Sequence, residues 1–253
     1  MITMPDPSIL QTADITCKIL DELRTSRAGV SELATELDHA KSTIHDHLRT
    51  LEHNHLIVQD GDRYRLSIRF FDFANQVRNQ FGYYEIVRDD LESISEEIGE
   101  NVHFGIEEHG RVCYFLKVEG EQGVKTISSI GTSQPMHSTS LGKAILAHME
   151  EERVVTILDR HGMPARTENT ITDRKTLFDE LERTRERGYS IDDEENIQGL
   201  SCIGAPVKDG DDILGAVSLS GPCSRFTEER LTNELPTLVK HAANIIELNS
   251  KFG

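Results

Sequence analysis

Long apolar runs are missing from this 253-residue chain. None approaches the ~20 residues that a membrane-spanning helix needs. The opening stretch, Met1-Ile-Thr-Met-Pro-Asp6, has no basic segment followed by an apolar one. A cytoplasmic protein is the expectation. Cysteine is scarce and scattered: Cys17, Cys113, Cys202 and Cys223 lie far apart, with no Cys-x-x-Cys pair. That argues against a structural zinc site built on cysteines alone and against a disulfide framework. Aromatic residues make up 6% and apolar residues 37%, a lean but globular composition with length for one large or two ordinary domains. Internal repeats and low-complexity tracts are absent.

Positive charge is also in deficit. The balance of 27 Lys and Arg against 44 Asp and Glu gives a net charge of −17. That is awkward for any phosphate-binding role, which rests on Lys and Arg. The deficit is unevenly spread: residues 1–82 carry 9 basic and 12 acidic side chains, the remainder 18 and 32. Arginine (18) outnumbers lysine (9). An acidic, lysine-poor surface suits a salt-adapted cytoplasm, where phosphate attraction is screened in any case.

What is present begins with Val30 to Leu66. Val30, Leu33, Ala34 and Leu37 fall at helical spacing, Asp38-His39-Ala40 breaks the pattern, and Ile44, Leu48 and Leu51 resume it. Two short helices about a tight break make a helix-turn-helix. With the apolar stripe facing inward, Lys41, Ser42, Thr43, His45 and Arg49 are left on the outer face, three of them at the end that reads a major groove. Asp60-Gly61 between two β-prone runs predicts a hairpin, a wing carrying Arg63 and Arg65. Asp14 to Leu23 supplies a closing helix. DNA binding is the favoured use of this module; winged helices that bind only protein remain the alternative.

Residues 1–9 are polar and expected to fray. The predicted layout is a winged helix over 10–68, a linker helix over 69–82 and a larger domain over 83–253. The linker is crowded with Phe70, Phe71, Phe73 and Val77. It is either core of one domain or a dimer contact and lever. In the larger domain, Glu85–Ile98 predicts a helix ended by Gly99. Strands follow at 102–106, 111–118 and 124–130. Ser138–His148 is read as a loop running into a helix, with further helices at 151–160 and 173–187. After a strand entered at 188–191, the acidic run Asp192 to Glu195 reads as a solvated turn. Leu200–Val207 and Ile213–Ser220 predict a hairpin over Lys208–Asp212. A single long helix from Thr227, kinked at Pro236, closes the chain. The fold class is α+β around a largely antiparallel sheet.

No catalytic constellation stands out. Adjacent His137 and Ser138 do not make a relay. Gly142-Lys143 misses the phosphate-loop pattern, with His137 and Ala144 at its first-glycine and Ser/Thr positions. Ser140 is read as a helix cap, leaving backbone N–H groups for a small anion. Cys202, Ser218 and Ser220 fall on facing strands of one hairpin. Together they suggest a small-ligand pocket more than an active site, the alternative being an enzyme using Cys202 or His137. No cofactor or metal is expected.

Three blocks carry a family resemblance. Arg187-Gly-Tyr-Ser-Ile-Asp-Asp-Glu-Glu-Asn-Ile-Gln-Gly-Leu-Ser-Cys-Ile-Gly-Ala-Pro-Val207 with Gly215-Ala-Val-Ser-Leu-Ser-Gly-Pro222 closely resembles the signature of the IclR family of transcriptional regulators. Met136–Ala147 is similar to its second block, and Lys41–His45 with Thr50-Leu51 to its DNA-reading helix. The resemblance implies a winged helix, a linker helix and a GAF-like effector domain. It also implies a homodimer or dimer of dimers on a double-stranded operator, and a small effector, often a carboxylate. Carried over by position, the effector site comprises Ser140, Leu141, Asp192, Leu200, Cys202, Ser218 and Ser220. Hydroxyls and N–H groups would hold the carboxylate between the apolar walls of Leu141 and Leu200. Ser140-Leu141 departs from the Gly-Ala of some members, Gly204 from a common Ala, Asp46 from a common Arg and His47 from an apolar residue. Some members bind zinc in the effector domain; His103, Cys113 and His137 are the conceivable ligands here.

The charge pattern makes the first prediction. Thermal unfolding followed in 0.1 M and 3 M KCl should show a higher midpoint in the concentrated salt; equal midpoints would remove the salt-adaptation reading.

Overall fold

The structure, a computed structural model, describes residues 9–125, 128–210 and 212–250. The polar start, residues 1–8, lies outside the described residues. The chain divides into two compact units, Met1–Phe81 and Gly82–Gly253.

In the first unit α1 (Gln11–Thr25), α2 (Val30–Glu36) and α3 (Lys41–His53) precede β1 (Ile57–Asp60), β2 (Arg63–Leu66) and α4 (Arg69–Gln80). A seven-residue helix such as α2 cannot hold itself in water. Its buried Leu33 and Ala34 join Ile15, Ile19 and Leu23 of α1, Ile44, Leu48 and Leu51 of α3, and Ile57 and Tyr64 of the hairpin. Each large apolar side chain so buried contributes ~1.5–3 kcal/mol. Asp38 makes the break between α2 and α3 with a φ of 52°, a left-handed conformation Asp adopts more readily than most residues. His47 is buried, its Nδ1 meeting Thr16 Oγ1 of α1 at 2.8 Å. That bond explains a histidine where an apolar residue is common. In the hairpin Asp60 pairs with Arg63, so the two-residue loop is Gly61-Asp62, one position later than the Asp60-Gly61 pair suggests. Glycine at the first central position is what a type II′ turn takes.

α4 buries none of its residues. Phe71, Phe73 and Val77 are exposed, and the rings of Phe70 and Phe73 lie 5.9 Å apart. The reading of this helix as core is therefore removed.

The second unit contains α5 (Tyr84–Ile98), β3 (Asn101–Glu108), β4 (Arg111–Val118), β5 (Ser133–Pro135), α6 (Ser140–Leu146), α7 (Glu151–His161) and α8 (Arg174–Arg187). It continues with β6 (Ser190–Asp193), β7 (Leu200–Asp209), β8 (Asp212–Pro222), α9 (Glu228–Thr232) and α10 (Leu235–Ser250). Six strands form one antiparallel sheet in the order β5-β4-β3-β8-β7-β6. The unit is α+β, as the pattern of elements predicts. Alternate strand residues face opposite ways. α5 and α10 lie against the sheet, and α6 also packs on β7, β8 and β6. The core around α6 includes Leu141, Ile145, Leu158 and Leu177.

Four local expectations change. Val124, Lys125 and residues 128–130 are not in a strand; residues 126–127 lie outside the described set. The Val124 carbonyl accepts from Asn101 Nδ2 at 2.7 Å, a side-chain bond in place of a ladder bond, and the sheet edge is β5 instead. The cap of α6 is Thr139, whose Oγ1 accepts from the Gly142 N–H at 3.1 Å, one residue before Ser140. The C-terminal helix is two helices: Thr227 caps α9, and Pro236 sits in the first turn of α10. There its missing N–H has no intrahelical partner to lose, so it starts a helix and does not kink one. Asp192 belongs to β6 and is buried, as is Glu195. A neutral or paired carboxyl can enter the interior where four free charges cannot.

Gly142 lies so close to the preceding loop that a Cβ there would sit 2.3 Å from the Met136 carbonyl oxygen. Gly142→Ala should therefore destabilise the second unit by about 1–3 kcal/mol, read as an earlier urea transition of that unit. An unchanged transition would mean that the loop yields freely.

Candidate functional site

On the first unit, Lys41, Ser42, His45 and Arg49 are exposed along one side of α3 and Thr43 is half-buried. The structure thus leaves the predicted reading face open. Asp46 is exposed among them, its Oδ1 3.9 Å from His45 Nδ1. The wing arginines are turned back. Arg63 pairs with Glu32 at 2.5 Å and donates to the Arg27 carbonyl at 2.9 Å. Half-buried Arg65 donates to the Leu66 carbonyl at 3.2 Å. Arg27 itself pairs with Asp60 at 2.5 Å. Exposed pairs of this kind are worth ~0–1 kcal/mol, so phosphate can compete for these guanidinium groups.

In the second unit, pairing across four strands sets out two rows of side chains. One row is Asn101, Ser220, Cys202 and Asp192; two residues along, His103, Ser218, Gly204 and Ser190 form the next. The period of two puts both rows on one face. α6 closes over them because Gly204 has no side chain: a Cβ there would lie 2.9 Å from the Ser140 carbonyl. Ser190 Oγ donates to that same carbonyl at 2.5 Å. The chain's glycine at this position, where alanine is common, lets α6 sit low on the sheet.

Between sheet and helix lies a cavity of about 30 Å³, room for roughly two waters. Ser140, Leu141, Asp192, Leu200, Cys202, Ser218 and Ser220 all line it. The structure therefore brings together all seven positions carried over from the family pattern. It adds residues the sequence reading missed, including His103, Tyr114, Gln134, Thr139, Asn196 and Ile197. Thr139, at the head of the helix, had a usable signal; His103, read only as a conceivable zinc ligand, is set opposite Ser218 by the register of β3 and β8. Asn196 and Ile197 also line an adjoining open cleft with Arg166, so their loop is the wall between cavity and cleft.

Electrostatics at the wall are dominated by one buried cation. Lys143 of α6 is ion-paired with Glu195, the two side chains 1% and 9% exposed. Burial pushes the Glu195 carboxyl up, and Lys143 pulls it back. Asp192 is raised to about 7 by burial first, with Lys143 lowering and Glu195 raising it. Its Oδ1 accepts from the backbone N–H groups of Glu195 and Asn196 at 2.8 and 3.2 Å. With Lys143 committed to Glu195, Asp192 is left near the midpoint of its titration at neutral pH. Burial, then the neighbouring Asp192, pushes the Cys202 thiol well up, which disfavours the thiolate a nucleophile needs. His137 lines a different small cavity, its Nε2 3.2 Å from the Pro164 carbonyl. His103, Cys113 and His137 do not converge: among the described residues the one metal-sized group is Asp193, Glu194 and Cys223.

Comparison with known proteins agrees with both halves. Residues 12–61 match the IclR helix-turn-helix domain and residues 79–248 the bacterial transcriptional regulator IclR C-terminal domain. The chain is 33% identical over 237 residues to the probable HTH-type transcriptional regulator ArcR of Halobacterium salinarum, spanning 91% of this chain and 90% of that one. The crystal structure of the Thermotoga maritima IclR superposes with a TM-score of 0.77 at 31% identity, over 94% of this chain and 97% of that one. An IclR homologue from Microbacterium hydrocarbonoxydans, solved with 4-hydroxybenzoate, shares the fold at 17% identity with a TM-score of 0.80, over 96% and 100% of the two chains. None of the described helices is long and apolar enough to cross a membrane. With both domain families matched in order along most of its length, the chain belongs to the IclR family of transcriptional regulators.

Proposed function

We propose that this regulator binds its operator through the outer face of α3 and the wing, as a cytoplasmic homodimer or dimer of dimers. A small carboxylate in the second-unit cavity tunes that binding. The observation that carries the effector half is the convergence of Ser140, Leu141, Asp192, Leu200, Cys202, Ser218 and Ser220 around one small cavity. Three hydroxyls supply donors for a carboxylate, and Leu141 and Leu200 supply apolar contact. The 4-hydroxybenzoate held by a distant fold relative is itself a carboxylate. The raised thiol of Cys202 and the separate lodging of His137 support a sensor over an enzyme.

Lys41, Ser42, Thr43, His45 and Arg49 are the proposed base and phosphate contacts, with Arg63 and Arg65 reaching phosphate once released from Glu32 and Leu66. Asp46 can accept from a cytosine amino group but repels phosphate. The bare apolar face of α4 is the proposed contact between subunits. A lever there would convert ligand occupancy into half-site spacing.

Two kinds of measurement test the reading, one on variants of the first unit and one on pH. In salt-controlled operator titrations, Arg49→Ala should weaken binding tenfold or more, and Phe71→Asp should lower the oligomeric state seen by sedimentation. Unchanged affinity would remove Arg49 from the interface, and an unchanged assembly would remove α4 from it. The second measurement is pH dependence. Asp192 faces Lys143 and Glu195, with Cys202, Tyr114 and His103 around the same cavity. A bound carboxylate favours the protonated form of Asp192, so affinity for an organic acid should be full below about pH 6 and fall as pH rises through about 7. Asp192→Asn should flatten that dependence; an identical profile in the variant would assign the effect elsewhere.

A further inference from the structure

The cavity under α6, at about 30 Å³, has less room than an organic acid needs. Part of its lining must therefore move before an effector can enter. The floor is held by strand pairing and the roof by a helix, both through backbone bonds. Residues 194–199, between β6 and β7, are fastened differently. Asn196 and Ile197 of this loop line the cavity and also a neighbouring open cleft of about 600 Å³.

β6 is an edge strand, so the carbonyls at its end need partners from outside the sheet. Three successive ones find them in a single stretch, residues 167–170. Asn169 Nδ2 donates to the Asp193 carbonyl at 3.2 Å, Thr167 Oγ1 to the Glu194 carbonyl at 2.6 Å and Thr170 Oγ1 to the Glu195 carbonyl at 2.6 Å. Thr170 is 8% exposed and is itself pinned, its Oγ1 accepting from the N–H groups of Arg166 and Thr167 at 2.9 Å each. Because side chains make this clasp, it can release without unpairing a strand. The loop it holds is under constraint. Glu194 and Gly199 have left-handed φ values of 56° and 81°, which glycine adopts readily and glutamate does not. Asn196, 8% exposed, has no partner for its buried Oδ1 among the described residues. Movement of the loop relieves both.

We propose that residues 194–199 are the door of the cavity, opening toward the cleft, and that Thr170, with Thr167 and Asn169, is the latch that sets how often it opens. This rests on the effector reading above and adds the route by which an effector gets in. Thr170 is a positioning residue: it does not line the cavity and acts through the Glu195 carbonyl. From inside, Lys143 holds the Glu195 side chain and Asp192 accepts from the N–H groups of Glu195 and Asn196. Latch and inner ties thus grip the same short piece of backbone from opposite sides. Release of the latch leaves the inner ties as the remaining hold, and a ligand that engages Asp192 competes for those.

Cys202 lines the cavity and reports the opening with no effector present. The full chain is treated with N-ethylmaleimide, and alkylation of Cys202 is followed by peptide mass spectrometry against Cys113, which is not part of that lining. Thr170→Val keeps the shape and loses the hydroxyl. It should raise the Cys202 rate about fivefold or more, the factor that one lost hydrogen bond allows, and leave the Cys113 rate unchanged. Thr170→Ser, which restores the hydroxyl, should return the rate to within about twofold of wild type. Amide hydrogen exchange over residues 194–199 should quicken in Thr170→Val. Asn169→Ala, at an exposed position, should act in the same direction more weakly, and it carries the test if Thr170→Val does not fold. A Cys202 rate that responds to neither variant, or unaltered exchange over residues 194–199, overturns the latch. Cys202 and Cys113 rates that rise together overturn it too, since that is general loosening. All these outcomes leave the effector reading standing; that reading fails separately, if the wild type shows no pH-dependent binding of an organic acid.

Discussion

A single buried lysine organises the second unit. Lys143 projects from α6 into the interior, where an unpaired ammonium is prohibitively costly, and Glu195 meets it from the loop after β6. That pair ties the helix above the sheet to the loop beside it. The loop is clamped from outside as well: Thr170 Oγ1 donates to the Glu195 carbonyl at 2.6 Å and Thr167 Oγ1 to the Glu194 carbonyl at 2.6 Å. Glu194 holds a left-handed φ of 56° within this frame. One cation facing two carboxyls cannot satisfy both equally. Glu195 takes the direct contact, and Asp192 is left to be governed by burial. The charge state at the cavity is thus a by-product of how the roof is fastened.

The cavity follows from the same fastening. α6 rests on the sheet at Gly204, where no side chain intervenes, and at Ser190, whose Oγ donates to the Ser140 carbonyl. Two residues along the strands, side chains return, and the space between them and the helix is polar on the floor and apolar at Leu141 and Leu200. Such a site is small, apolar on part of its lining and carries directed polar groups, the combination expected of a site that discriminates by hydrogen bonding.

The first unit faces the opposite problem, too much exposed charge of both signs. Arg27 and Arg63 are engaged by Asp60 and Glu32, and Asp46 stands on the reading face. Surface pairs of this strength exchange readily for phosphate, and concentrated salt weakens both alternatives. A module with more acidic than basic side chains gains from a second copy, and α4 carries the exposed apolar face that a second copy can meet.

Much of this was determined by sequence alone. Helical periodicity located α1 to α3 because amphipathic stripes must face a core whatever surrounds them. The alternation of Ser218 and Ser220 opposite Cys202 was legible because strand period is fixed by backbone geometry. The motif blocks named the family. Tertiary structure decided the rest. Asp192 to Glu195 reads as a solvated turn until Lys143, 49 or more positions earlier in the chain, arrives to make the burial of Asp192 and Glu195 tolerable. His103 looks like any strand residue until register sets it beside Ser218. α4 has the composition of a core helix, and only the packing leaves Phe71 and Phe73 bare. Periodicity reports which face is apolar; it carries no information on which distant partner, charge or empty space that face will meet.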